Sequence, residues 1–158
     1  MNGDSTSKIH WSFWAISILM LVWNLMGGIN FVVQLDPEMI SSYPESEQAI
    51  IQGRPLWATI GFAASVFGGA VGCILLMLKR ASAIYLFIVS LLGTITAMAH
   101  TLAPNISFGA GEIVGIILMP VLIFLFLILY SKYTQNKGWL QTHNKISKRD
   151  AENLGAPS

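Results

Sequence analysis

Apolar positions in this chain gather into four long runs, separated by short polar stretches. The runs are WSFWAISILMLVWNLMGGINFVVQ from Trp11 to Gln34, PLWATIGFAASVFGGAVGCILLML from Pro55 to Leu78, ASAIYLFIVSLLGTITAMAHTL from Ala81 to Leu102, and GEIVGIILMPVLIFLFLILYS from Gly111 to Ser131. Crossing about 30 Å of hydrocarbon takes roughly 20 apolar residues as a helix, so each run predicts one transmembrane span. The only Asp, Glu, Lys or Arg inside them is Glu112, at the start of the fourth. The first run is too long for a signal-peptide core, and no A-x-A cleavage site follows it, so it reads as a span.

The polar stretches set the connections. Lys79-Arg80 is almost all that separates the second and third runs, which makes them antiparallel neighbours. The first connection is longer and acidic, LDPEMISSYPESEQAIIQGR. Asp36-Pro37-Glu38 has the order of a helix start: a capping acid, proline in the first turn, then another acid. Pro44-Glu45-Ser46-Glu47 offers a second start and Gly53 a stop, so a short outer helix is expected there. Pro120 falls inside the fourth run, where it removes an N–H and bends the helix. The organisation expected is a short N-terminus (1–10), a four-helix transmembrane domain (11–133) and a polar, mobile tail (134–158). Trp139-Leu140 is placed near the membrane interface.

Lys and Arg crowd the flanks on one side: Lys8, Lys79, Arg80, Lys132, Lys137, Lys145, Lys148 and Arg149. The other side holds Arg54 beside Asp36, Glu38, Glu45, Glu47 and Glu112. By the positive-inside rule both termini face the cytoplasm. Trp11, Trp14, Tyr130 and Tyr133 mark the inner interface, and Trp57 the outer one.

Composition narrows the class. Of the 158 residues, 54% are hydrophobic and 11% charged, and mean hydropathy is +0.62. A soluble domain carries about 25% charged residues. The net charge of +1 offers no basic field for nucleic acid. A single cysteine, Cys73, excludes an intrachain disulfide and any CxxC motif. His10 and His143 lie on the opposite side from His100, and there is no HExxH, P-loop or G-x-S-x-G motif. No enzyme, metal site or cofactor is expected.

Lipid tails give helices no hydrophobic reason to associate, so close packing falls to small residues. The second run is rich in them. Gly61, Ser65 and Gly69 recur every four positions, as do Ala64, Gly68 and Gly72. This double stripe predicts the packing centre of the bundle, or else a surface for a second copy or another membrane protein.

Two polar groupings carry candidate chemistry. In the first run Asn24, Gly27, Asn30 and Gln34 share one helix face, bordered by Trp23. Amides are costly in lipid unless paired. Such a face either hydrogen-bonds between helices or lines a cleft, where a ring and amides suit a sugar-like solute. In the third run His100 lies near the outer end, within one short loop of Glu112, and the two are a candidate proton-relay pair.

WNLMGG at Trp23 to Gly28, the acidic first loop, P-x-W at Pro55 to Trp57, and FGGAVGCILLMLKR at Phe67 to Arg80 together resemble small four-helix inner-membrane proteins of bacteria, many of which carry an automatic "sugar transporter" label. The resemblance spans roughly Trp11 to His100 and implies a bacterial inner-membrane location. In size and helix number the chain is also similar to small multidrug exporters, but it has Asn24 where their first helix carries a glutamate. Two functions are therefore expected. The first is a helix-packing accessory protein, with lipid and either a second copy or another membrane protein as neighbours. The second is a small transporter of neutral polar solutes working as a homo-oligomer.

Overall fold

The computed structural model describes residues 9–102, 111 and 113–140. All regular structure among them is helical: α1 (Trp11–Val33), α2 (Pro37–Ile40), α3 (Glu45–Gln52), α4 (Leu56–Met77), α5 (Ala83–Thr101), a π-helical segment (Ile113–Leu118) and α6 (Met119–Asn136). Four helical stretches are long and apolar enough to cross a membrane, namely α1, α4, α5 and the continuous Ile113–Asn136. This supports a multipass membrane protein. The ends of the first three fall within two residues of those expected from the apolar runs, whereas the fourth continues five residues past Ser131, to Asn136.

Both start signals in the first connection are used. Asp36 accepts a hydrogen bond from the Glu38 N–H at 3.0 Å and opens α2; Pro44 precedes α3, which stops at Gly53. Two short helices stand where one was expected.

α4 sits at the centre. Of its membrane-length window 44% is buried, against 11% for the last span. Its small residues let neighbours approach closely. A Cβ at Gly61 would lie 2.9 Å from the Gly93 carbonyl oxygen in α5, one at Gly68 would lie 2.6 Å from Ser90 Oγ, and one at Gly72 would lie 2.6 Å from the Phe87 ring. Ser65 and Thr94 hydrogen-bond across this seam at 2.6 Å. On the other side, Gly27 of α1 meets Val66, while Phe31 packs edge-on against Phe62 and Phe67. The stripes foreseen on α4 are thus covered within the chain.

The turn after α4 closes without glycine. Lys79 adopts φ 59°, the Lys79 N–H reaches the Leu76 carbonyl and the Arg80 N–H reaches the Leu75 carbonyl, both at 2.9 Å. This is a Schellman closure with lysine at the left-handed position. Gly138 ends α6 in the same way at φ 73°.

Pro120 falls where the last span changes its helical geometry. The chain runs as a π-helical segment up to Leu118 and α6 begins at Met119, with Pro120 in its first turn. A proline removes one ladder hydrogen bond from a helix, and a π segment is a local irregularity in the same ladder.

The expected boundary of a mobile tail after Tyr133 also moves. α6 continues to Asn136, Trp139 packs edge-on against Phe13 at 6.0 Å, and Leu140 is buried beside Phe13, Leu76 and Leu127. An apolar pair just after a Schellman turn is directed back onto the bundle, so it joins the core. The remaining tail (141–158) and the first eight residues lie outside the described residues.

Candidate functional site

A cavity of about 390 Å³ lies within the bundle, bounded by α1, α3, α4, α5 and the last span. Small-molecule pockets run from about 300 to 1,000 Å³, so the size suits a small ligand. All four residues of the predicted polar face, Trp23, Asn24, Asn30 and Gln34, line it. The ten residues from Asn24 to Gln34 give it a length of about 15 Å along α1.

Asn24 is buried near the middle of α1. Its amide Nδ2 donates to the Met20 carbonyl at 2.8 Å and lies 3.9 Å from Cys73 Sγ in α4. Its oxygen faces the bare backbone of Gly69, with Phe124 of α6 alongside. Any side chain at position 69 would displace this amide, so the stripe glycine is what admits Asn24 to the interior.

Asn30 turns toward the connection, where its Oδ1 accepts a hydrogen bond from the Tyr43 hydroxyl at 2.6 Å. Gln34, one helical turn further, is different. Its Oε1 is buried and has no hydrogen-bond partner among the described residues. A buried acceptor left unmade costs about 1–3 kcal/mol, so this oxygen awaits a donor.

α3 closes the far end. Glu47, Ile50, Ile51 and Arg54 all line the cavity. Glu47, Ile50 and Ile51 share one face of α3 by i, i+3, i+4 spacing, and Arg54 follows its Gly53 cap. Neither Glu47 nor Arg54 has an ionic partner among the described residues, and the Arg54 guanidinium rests 4.9 Å from the Phe62 ring centroid. Burial lowers the Arg54 pKa from its ordinary value, because desolvation penalises the cation. Neither residue stood out in the sequence as part of the polar face. The i, i+7 spacing of opposite charges around two isoleucines was the available signal.

His100 stands where α5 meets α3. Its Nε2 lies 3.3 Å from the Ile50 carbonyl and its ring meets Trp57 edge-on. It thereby ties α5 to α3, over the cavity. Its supposed partner Glu112 lies outside the described residues, as does the relay the two were expected to form.

The remaining wall is mainly apolar, broken by the hydroxyls of Ser65, Thr94 and Thr101. Gly115, Ile116 and Pro120 line the cavity where the last span changes from π to α geometry. Among the described residues no group of three or more His, Cys, Asp or Glu is placed to hold a metal ion. The packing glycines Gly61, Gly68, Gly69 and Gly72 stand around the site as structure, and Ser65 belongs to both the packing seam and the cavity wall.

No protein-family model, curated protein or solved structure matches the chain.

Proposed function

We propose that this is a four-span membrane protein whose central cavity binds a small, net-neutral polar solute. One observation carries the reading: Trp23, Asn24, Asn30 and Gln34 converge on a single cavity, and the buried Gln34 Oε1 has no hydrogen-bond partner among the described residues. An aromatic ring offers a stacking face, and amides with hydroxyls offer the few oriented polar contacts that such a site needs.

In this reading the spans run antiparallel, both termini are cytoplasmic, and α2 and α3 lie on the outer face. Contact order supports the arrangement. Asn24, Gly27 and Phe31 rise along α1 while their partners Cys73, Val66 and Phe62 descend along α4. Phe13 and Trp14 at the start of α1 sit with Tyr130, Trp139 and Lys79, at the end rich in Lys and Arg.

Thiol accessibility tests the cavity. In a Cys73→Ala background, single cysteines replace Asn24, Asn30, Gln34 or, as a control between α4 and α5, Ser90. The protein is held in lipid nanodiscs and exposed to a charged thiol reagent, which requires water. Positions 30 and 34 are expected to label, position 24 more slowly, and position 90 not at all. Protection of 24 and 34 equal to that of 90 would mean a dry, packed bundle and would remove the reading.

A role as a self-associating or accessory subunit keeps one specific support. Nothing lies within 4 Å of a Cβ placed at Gly111 or Gly115, so this small-xxx-small pair is uncovered by the described residues. Cysteine cross-linking at position 114 tests it: efficient dimer formation in native membranes supports self-association, and none argues against it.

A further inference from the structure

The charges at the α3 end of the cavity are the part of the molecule that the preceding reading leaves unused. Glu47 in α3 and Arg54, just past its Gly53 cap, flank Ile50 and Ile51 in the chain, and all four border the same space. Seven positions of chain separate them, helical as far as Gln52. They form no ion pair with each other, and neither has another ionic partner among the described residues. Both are half-buried. A cation and an anion held apart beside an apolar patch lose hydration without gaining each other, a cost that a ligand carrying the complementary pair would offset.

Gln34 adds direction. Its unsatisfied Oε1 accepts only, so it selects a group with an N–H or O–H. An anion alone would meet Arg54 but be repelled by Glu47. A cation alone would meet Glu47 and be repelled by Arg54. Net neutrality with separated charge answers both.

We propose, resting on the cavity reading above, that the ligand is a zwitterion: its phosphate or carboxylate at Arg54, its protonated amine between Glu47 and Gln34 Oε1, and its apolar body against Ile50, Ile51 and Phe62. Both an aminophospholipid headgroup and a free amino zwitterion carry this chemistry. The partly exposed Trp23 and Met26 and the uncovered Gly115 edge the cavity toward the lipid-facing surface, which makes the headgroup of a bilayer lipid the first source to try.

The test uses the full chain in an uncharged maltoside detergent. Binding is read as a saturable change in tryptophan fluorescence that Trp23→Phe abolishes. The probes are lauroyl lysophosphatidylethanolamine, the anionic lauroyl lysophosphatidylglycerol, and glycerophosphoethanolamine as the free headgroup. The zwitterionic lipid is expected to bind about tenfold more weakly to both Arg54→Gln and Glu47→Gln. The anionic lipid should lose affinity in Arg54→Gln and gain it in Glu47→Gln, an opposite response that general unfolding does not produce. Arg54→Lys should retain most of the affinity. Binding of glycerophosphoethanolamine at comparable strength identifies a free solute as the source; binding of the lipid alone identifies the headgroup. Zwitterion affinity unchanged in either Gln variant, or no zwitterion binding, overturns the inference. If positions 24 and 34 are nevertheless accessible to the thiol reagent, the cavity reading survives that failure.

Discussion

The side-chain amide of Asn24 in α1 lies over the bare Cα of Gly69 in α4: a Cβ at Gly69 would collide with the amide oxygen, come within 2.8 Å of the amide carbon and within 2.9 Å of the Phe124 ring. Gly69→Ala should therefore destabilise the bundle by about 1–3 kcal/mol, the usual range for overpacking a tight site. Adding Asn24→Ala should recover part of this loss. Phe124 still stands in the way, so recovery stays incomplete. Thermal unfolding of the purified single and double variants measures both effects. A loss unchanged by Asn24→Ala would mean that the amide is not the obstacle.

The seam between α4 and α5 gives a sharper pair. Ser90 Oγ has no hydrogen-bond partner among the described residues and lies 2.6 Å from where a Gly68 Cβ would be; the next atoms, Leu86 O and Ser90 Cβ, are at 3.9 Å. Ser90→Ala alone should be neutral or slightly stabilising, since it removes an unmet polar atom. Gly68→Ala alone should destabilise, and Gly68→Ala in the Ser90→Ala background should cost little. A double-mutant cycle measures the coupling, expected at about 1 kcal/mol or more. Additive losses would contradict the contact.

Lys79 occupies left-handed backbone at φ 59°. A non-glycine residue there costs about 1–2 kcal/mol, which Lys79→Gly relieves. The substitution also removes the ammonium, 5.9 Å from the Trp14 ring, a contact worth about 0.5–1 kcal/mol. A net gain of a few tenths of a kcal/mol is expected. Gly138→Ala, at φ 73°, should instead lose about 1 kcal/mol. Melting temperatures of the two variants should move in opposite directions.

Leu140 is 4% exposed, whereas Leu129 is 67% exposed on the outer face of α6. Leu140→Ala should cost about 2 kcal/mol or more, in line with deletion of a packed side chain. Leu129→Ala should change little, because its methyl groups already face the lipid-facing surface. Equal effects in a detergent melt would mean that residues 137–140 do not pack as described.

His100 tethers α3 through the Ile50 carbonyl. His100→Ala should leave the four spans intact but loosen the connection from Tyr43 to Arg54. Limited proteolysis after Glu45 or Glu47 by a glutamate-specific protease should accelerate several-fold, with little change in the global melt. Unaltered cleavage would show that the Tyr43–Asn30 hydrogen bond alone holds the connection.

Four spans, the ends of the first three within two residues, and the shared face of Trp23, Asn24, Asn30 and Gln34 all follow from the sequence. Each depends on one helix at a time: an apolar run either reaches across a bilayer or does not, and a 3.6-residue period assigns faces whatever stands opposite. What required the folded chain were matters of two or more elements. Small residues on α4 announce close packing but not which neighbour closes on them; contacts with α5 and α1 cover them inside the chain. Asn24 is buried because Gly69, 45 residues away in sequence, leaves room for its oxygen. His100 meets a backbone carbonyl of α3, a partner no side-chain motif advertises. Glu47 and Arg54 read as ordinary charges of a polar connection until that connection is laid against the bundle, because which residues share a cavity is decided only by tertiary packing.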